Sequence, residues 1–174
     1  MGTRSNIIAI NTKGIWQRIY CHWDGYPEHN GVILRDNYTD PAKIAALLAL
    51  GDLSILGPEI GVKQDFENPA PGMCLAYGRD RGEKGTKALK GASLIGVWPD
   101  GDTGAEYVYV WDGQTWLVGD PDKDTQSLVD LAALLRGEVK IAPAIKAFGG
   151  NFVIGKHSGD LDQVMIDANT KGLI

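Results

Sequence analysis

The sequence predicts an α+β fold in which residues 1–174 form a single domain, with two to four helices packed on a mainly antiparallel sheet. Three observations predict it. Apolar segments flank a short turn near the N terminus, a second pair flanks an Asp-Gly dipeptide, and two segments combine a helix cap with a leucine-rich stripe. With 44% hydrophobic and 22% charged residues, the chain is apolar enough to bury one core.

The N-terminal segment predicts a β-hairpin. Residues 6–10 and 15–23 are rich in apolar side chains and are joined by a turn that contains glycine. Side chains of a strand alternate between the two faces of a sheet. The side chains expected to share one face of the second strand are those of Trp16, Arg18, Tyr20 and His22. Residues 24–28 have turn composition, and a helix is expected over about 28–38.

The next helix is marked more clearly. Thr39 or Asp40 can cap its N terminus, Pro41 suits its first turn, and Gly51 ends it. Its apolar stripe consists of Ile44, Leu47 and Leu48. Residues 51–72 hold many glycines and prolines, so they are expected to form an irregular loop.

The remaining elements follow from the same signals. The strands expected are 73–77, 94–98, 106–111 and 115–118. The last two are joined at Asp112-Gly113, a strong hairpin signal. Thr125 is expected to cap a helix that runs to Arg136 and buries one leucine-rich face.

Composition argues against several classes of function. The formal net charge of −5 argues against a general nucleic-acid-binding protein, which needs a basic surface to displace counterions from phosphates. No apolar run reaches the ~20 residues that cross a bilayer, and the N-terminal apolar stretch is too short for a secretory signal. We therefore expect a cytoplasmic location and no membrane partner.

We expect no disulfide, no metal and no cofactor. Cys21 and Cys74 are too few for a disulfide scaffold and are expected to be reduced and buried. Cys21 and His22 would point to opposite faces of a strand, and neither CxxC nor HxxxH spacing occurs, which argues against a metal site. The phosphate-binding patterns GxxxxGK[ST] and GxGxxG are missing from the basic segment.

The densest group of polar and aromatic residues is segment 20–30. It combines aromatic faces for stacking, imidazoles that titrate near neutrality, and carboxylates that can read a base edge. Its candidate ligand-binding residues are Tyr20, His22, Trp23, Asp24, Tyr26, His29 and Asn30. The mixture is typical of nucleobase recognition, while core packing of the aromatic rings and a structural His22 form the alternative interpretation.

A second group lies in segment 77–87, where glycines flank two arginines. The stretch from residue 79 to 90 holds five basic and two acidic residues, a local balance that suits a small anion. The candidate ligand-binding residues are Tyr77, Arg79, Arg81 and Lys84, with Arg4 as a further candidate. The paired N–H donors of an arginine guanidinium match the spacing of phosphate oxygens, and glycines let the backbone approach a ligand. The alternative is a solvated turn whose charges pair with one another.

Several motifs resemble those of a group of small proteins encoded by tailed bacteriophages. These motifs are TRSNI at 3–7, YCHWDGYP at 20–27, HNG at 29–31, GDLS at 51–54 and AYGRDRGE at 76–83. The resemblance covers roughly the first half of the chain and the hairpin at 107–116, and it carries no catalytic assignment. It implies an accessory protein in the cytoplasm of an infected bacterium. Such proteins often act against host defences, some by sequestering cyclic or ADP-ribose-type signalling nucleotides.

The preferred hypothesis is a protein that binds and sequesters a small anionic nucleotide. Aromatic residues of segment 20–30 would stack on the base, and Asp24 and Asn30 would read its edge. Arg79, Arg81 and Arg4 would hold phosphate.

Two alternatives remain open. A hydrolase or lyase acting on such a nucleotide would use His22 or His29 as general acid or base, with Asp24 orienting the imidazole. A protein-interaction inhibitor of a host factor would instead use exposed tryptophans as anchors and bind no small molecule. Each hypothesis is compatible with a homo-oligomer, which would cover edge strands.

Overall fold

The computed structural model describes residues 2–11, 13–92, 99, 103–123 and 128–138. The strands are β1 Ser5–Ile10, β2 Trp16–Cys21, β3 Leu53–Ile55, β4 Leu75–Ala76, β5 Leu89–Gly91, β6 Tyr107–Trp111, β7 Trp116–Gly119 and β8 Val129–Asp130. The helices are α1 Val32–Asn37, α2 Pro41–Ala49, α3 Tyr77–Arg81 and α4 Leu131–Leu135, and a π-helical turn, Pro27–Gly31, leads into α1. Among these residues, no helix has the length and apolar composition that spanning a membrane requires.

The strands form one mixed sheet in the order β4-β3-β2-β1-β6-β7-β8, with β5 also paired to β2. The pairs β1–β2, β2–β5, β3–β4, β6–β7 and β7–β8 are antiparallel, while β1–β6 and β2–β3 are parallel. The predicted fold class, a mainly antiparallel sheet with a few helices, is confirmed.

Both predicted hairpins are present, and side chains close each turn. In the β1–β2 turn, Asn11 Oδ1 accepts hydrogen bonds from the backbone of Lys13 and Ile15, each at 2.9 Å. In the β6–β7 turn, Asp112 accepts from two backbone N–H groups at 2.8 Å, and Gly113 takes a φ of 97°. These local bonds explain why the turns can be recognised from sequence.

Helices α1, α2 and α4 pack on one face of the sheet. In α2, Asp40 caps the N terminus by accepting from the backbone N–H of Ala42 at 3.0 Å, and the predicted apolar stripe is buried. The buried core includes Ile7, Ile19, Cys21, Leu34, Tyr38, Leu47, Leu53, Tyr109 and Trp116. Within the core, Trp116 Nε1 donates to the Tyr38 carbonyl at 2.7 Å. The predicted helix over 28–38 corresponds to the π-helical turn and α1.

Three boundary predictions were wrong. The loop expected over 51–72 contains β3. Leu53 of this strand is fully buried, although glycines flank the strand in the sequence. The glycine-flanked loop after residue 77 is helix α3, which ends where Gly82 takes a φ of 71°. The last helix begins at Leu131, capped by Asp130, because the residues just before it form β8 against β7.

Two predictions fall outside the described residues. A further strand, β5, was not predicted. The strand expected at 94–98 and the cap at Thr125 lie outside the described residues. The strand expected over 73–77 shortens to β4. Strand β5 lies within the charged stretch, where its exposed Leu89 and Lys90 give no periodic signal.

Candidate functional site

A band of polar side chains lies on the sheet face opposite helices α1, α2 and α4. Ile7, Ile19, Cys21, Leu53 and Ala76 all belong to the core beneath the helices. Because strand side chains alternate, the neighbours of these residues face the other way. Pairing of Asn6 with Tyr20, and of Cys21 with Leu53, sets these neighbours side by side. We call this set the polar band: Arg4, Asn6, Tyr20, His22, Asp52, Ser54 and Tyr77.

Tyr20 and His22 form the centre of the polar band. The Tyr20 hydroxyl is hydrogen-bonded to His22 Nδ1 at 2.9 Å, so the predicted shared face is present. Burial raises the pKa of Tyr20, and the neighbouring positive charge of Arg4 opposes that rise without cancelling it. The phenol is therefore protonated at neutral pH. The His22 ring also meets the Trp23 ring edge-on, with centroids 4.8 Å apart.

Strand β3 joins the two segments that the sequence singled out. On one side, the backbone N–H of His22 donates to the Leu53 carbonyl at 3.0 Å. On the other side, the backbone N–H of Tyr77 donates to the Asp52 carbonyl at 3.1 Å. Burial raises the pKa of Tyr77, while a hydrogen bond from Ser54 to its hydroxyl lowers it. Segments 20–30 and 77–87 therefore meet in space.

Arg81 lies at the outer edge of the polar band. Its guanidinium carbon is 4.8 Å from the centroid of the Phe66 ring and 4.9 Å from that of Tyr77. Its Nε donates to Glu83 at 3.0 Å. About half of the Arg81 side chain remains exposed, at 49%. Lys84, in the loop that follows, is also exposed.

Arg79 is turned into the protein. Its five N–H donors bind both carboxylate oxygens of Asp80 and the backbone carbonyls of Ile60, Gly61 and Cys74, at 2.6 to 3.3 Å. An arginine has no further donors. The guanidinium therefore fixes α3 to the preceding loop and has no free N–H for phosphate.

Asn30 is also structural. It is fully buried, and its Nδ2 donates to the Trp23 carbonyl at 3.1 Å and to Cys21 Sγ at 3.5 Å. Its Oδ1 is bonded to His29 Nδ1 at 3.0 Å. The amide therefore shapes the turn that presents Trp23, and its hydrogen-bonding groups are used internally.

Tyr26, His29 and Asp24 belong to the turn that leads towards the helices. The rings of Tyr26 and His29 lie 6.0 Å apart. Asp24 takes a φ of 55°, and its carbonyl accepts from the Asn30 backbone at 3.2 Å. The core residue Tyr109 donates to the Gly25 carbonyl at 2.6 Å, which ties this turn to the helix-covered face. These contacts hold Tyr26 and His29 together beside α1, away from the centre of the polar band.

A polar cavity of about 160 Å³ opens beside Tyr20. Its lining includes Asn6, Arg18, Tyr20, Asp52, Lys87 and Thr103. Asp52 Oδ1 accepts the backbone N–H of Tyr20 at 2.9 Å. Burial raises the pKa of the Asp52 carboxyl, and the nearby Glu83 adds to the rise, while the Tyr20 bond and Arg18 oppose it. We call this space the polar cavity.

The sequence analysis missed Asn6, Asp52, Lys87 and the polar cavity. A weak signal was present, because Asp52 and Ser54 flank Leu53 in the alternating pattern of a strand. That pattern is three residues long and is surrounded by glycines, so it does not stand out from a loop.

A larger cleft of about 360 Å³ lies on the helix side of the sheet. It is lined mainly by apolar side chains, among them Ile10, Ile44, Leu48 and Trp111. Lys90 is the charged residue in its lining. The polar cavity is smaller but brings together two cations and a carboxylate, so it is the better candidate for a specific site.

The buried cysteines are not part of the site. Both are buried, as predicted, and burial raises the pKa of Cys21 to about 12. The described residues contain no group of three or more His, Cys, Asp or Glu side chains that could hold a metal ion. Comparison of the chain with protein-family models, curated proteins and solved structures found no match.

Proposed function

We propose that the polar band binds a small anionic nucleotide and sequesters it without chemical change. In the setting that the phage resemblance implies, the bound nucleotide is a host defence signal, and the protein is a phage accessory protein that removes it. The observation that carries the proposal is the junction at β3, which brings Tyr20 and His22 of one segment beside Tyr77 of the other. This junction supports the proposal because it sets residues that could stack on a base beside the segment that carries the candidate phosphate-binding residues.

Each part of the ligand has a matching group on this surface. Trp23, 42% exposed, offers a ring face on which a base can stack. Arg4, Arg81 and Lys84 supply positive charge for phosphate, and the arginines add planar donors. Arg79 and Asn30 act indirectly, the first by fixing α3 and the second by holding the turn beneath Trp23.

The chemistry of the site favours binding over turnover. Cys21 is buried and its raised pKa, about 12, removes it as a nucleophile at neutral pH. Tyr20 is protonated and its hydroxyl is bonded to His22. A sequestering protein needs tight binding and no reaction, and a buried Cys21 and a protonated Tyr20 support this proposal over turnover.

A hydrolase or lyase is the second candidate, and one observation favours it. The Tyr20 hydroxyl lies 2.9 Å from His22 Nδ1, which is the geometry of a positioned general acid or base. A His22→Ala variant separates the two candidates. Under the sequestration proposal it weakens binding, while an enzyme would retain binding and lose conversion.

The test is thermal-shift screening against cyclic dinucleotides, cyclic oligonucleotides and ADP-ribose derivatives, with each ligand recovered and chromatographed. A ligand at 100 times its Kd adds about 2.7 kcal/mol of apparent stability, so a true ligand is readily detected. We expect a shift with intact ligand, lost in Arg4→Ala. The matched control is Lys13→Ala, an exposed cation in the β1–β2 turn at the other end of these strands.

The outcomes separate three functions. A shift with unchanged ligand supports sequestration, and a shift with altered ligand supports the enzyme. No shift with any member of the panel would contradict nucleotide binding and would favour the protein-interaction inhibitor.

A further inference from the structure

The polar cavity is too small for a whole nucleotide. Pockets that enclose drug-sized ligands typically measure about 300–1,000 Å³. At about 160 Å³, the polar cavity has about half the volume of the smallest of these pockets, which suits one fragment of a nucleotide. The fragment is a phosphoryl group, a base or a pentose.

The lining of the polar cavity offers acceptors as well as donors. Asp52 Oδ1 is occupied by the Tyr20 backbone, while its second oxygen has no hydrogen-bond partner among the described residues. Asn6 donates through Nδ2 to Thr103 Oγ1 at 3.0 Å, which leaves the Asn6 carbonyl oxygen as a further acceptor. Arg18 and Lys87 supply positive charge at the same cavity.

These groups discriminate among the three fragments. An ionised phosphoryl group only accepts hydrogen bonds, so it would leave the acceptors of Asp52 and Asn6 without donors and would face a carboxylate. A base is flat and stacks better on the exposed ring of Trp23. A pentose has hydroxyl groups that both donate and accept, which matches this mixed lining.

We infer that the polar cavity takes the pentose of a ribonucleotide through its vicinal hydroxyl groups, with Asp52 as the acceptor that selects them. The inference rests on the proposed function. Lys87, which is exposed and lines the polar cavity, then lies on the side of the phosphate that the pentose carries, and the base remains outside the cavity. The ligand class is therefore a nucleotide with a free vicinal diol, such as AMP or ADP-ribose, and not a deoxynucleotide.

Two matched ligand pairs test this inference by isothermal titration calorimetry. The first pair is AMP and 2′-deoxy-AMP, and the second is ADP and 2′-deoxy-ADP, so that the ligands of each pair differ only in the 2′ hydroxyl group. A hydrogen bond to a charged group contributes about 1.5–3 kcal/mol, which corresponds to a Kd ratio of about 10 to 150. We expect ratios in this range for the wild-type protein, in favour of the diol in each pair.

Asp52→Asn is the diagnostic variant. Its amide oxygen can still accept the Tyr20 backbone N–H, so the fold is retained while the charged acceptor is lost. We expect the AMP preference to fall below about threefold. Asp36→Asn, an exposed carboxylate on α1, is the control and should keep the wild-type ratio. Circular dichroism of each variant verifies folding.

The outcomes separate this inference from the function on which it rests. Equal binding of AMP and 2′-deoxy-AMP would overturn the pentose assignment while leaving nucleotide binding intact. A preference for AMP that persists in Asp52→Asn would overturn the role of Asp52. Binding of none of the four ligands, in a protein that also gives no shift across the wider panel, would overturn both proposals together.

Discussion

Arg79→Met should destabilise the fold strongly, because the Arg79–Asp80 pair is internal. The Asp80 side chain has no exposed surface, and that of Arg79 is only 18% exposed. Methionine keeps much of the side-chain length but removes all five donors. The Asp80 carboxylate would then lie buried without its cation, and the carbonyls of Ile60 and Gly61 would lose the side-chain donor that Arg79 provides.

The size of the loss follows from what remains around Asp80. Removing one partner of a buried ion pair typically costs about 3–5 kcal/mol. The carboxylate would keep two backbone donors, Ala76 at 2.8 Å and Gln64 at 3.1 Å. We therefore expect a loss of about 3 kcal/mol, at the lower end of that range. Since domains of this kind have about 5–15 kcal/mol in total, the variant should still fold.

The loss should also depend on pH. Burial alone would raise the pKa of Asp80, but hydrogen bonds from Arg79 and from two backbone N–H groups outweigh it and hold the pKa below the ordinary value of 3.8. A depressed folded-state pKa stabilises the protein above the unfolded pKa, and this contribution disappears as pH falls through the folded value. The difference between wild type and Arg79→Met should therefore shrink below about pH 4.

The assay is urea unfolding followed by tryptophan fluorescence at neutral and acid pH. The chain contains a matched control in Arg35–Asp36, the same dipeptide on the surface of α1, with side chains 36% and 50% exposed. Arg35→Met should cost less than about 1 kcal/mol, since exposed ion pairs contribute little. Equal, small losses for both variants would refute the structural role of Arg79 and return it to the candidates for phosphate binding.

Three further predictions concern other parts of the fold. Cys21 and Cys74 should resist a thiol reagent in the native protein at neutral pH and react after denaturation, because burial raises the pKa of both thiols; rapid native labelling would contradict this. Gly51→Ala should lower the urea midpoint, because Gly51 has a φ of 75° and a Cβ there would lie 2.1 Å from the Thr86 carbonyl oxygen. Asp40→Ala should cost about 0.5–2 kcal/mol by removing the α2 cap, and an unchanged midpoint would count against that cap.

The elements that could be predicted from sequence are those fixed by neighbouring residues. Asp112 and Gly113 close a turn through bonds to residues two and three positions away, so the hairpin is visible locally. Helix α2 is equally local, because Asp40 and Pro41 define its start. Both signals act within one turn of chain, and no distant contact overrides them.

The elements that could not be predicted depend on distant contacts. Strands β3 and β8 have three and two residues, too few to show a period. They exist because β3 pairs with β2 and β4, and β8 pairs with β7. The different roles of Arg79 and Arg81 could not be predicted for the same reason, because they depend on distant contacts. They are two residues apart in one short helix, yet one is bound by the interior and the other stacks on Phe66.

The polar cavity lies beside the edge of β2 at which two different strands, β3 and β5, pair with it. Strand β5 pairs with residues 16–18 of β2, and β3 pairs at Cys21, so Tyr20 lies between the two partners. At that gap, the Asp52 side chain takes the Tyr20 backbone N–H that a continuous strand would have taken.

The cavity lies where no strand of the described part of the chain fills the sheet edge. Asp52 therefore has two separable roles, one for each carboxylate oxygen. Asp52→Ala should lose both, lowering stability by about 1–3 kcal/mol as well as abolishing diol selection, whereas Asp52→Asn should lose selection alone. If the two variants were equally stable, the hydrogen bond to Tyr20 could not be what closes the sheet edge at this point.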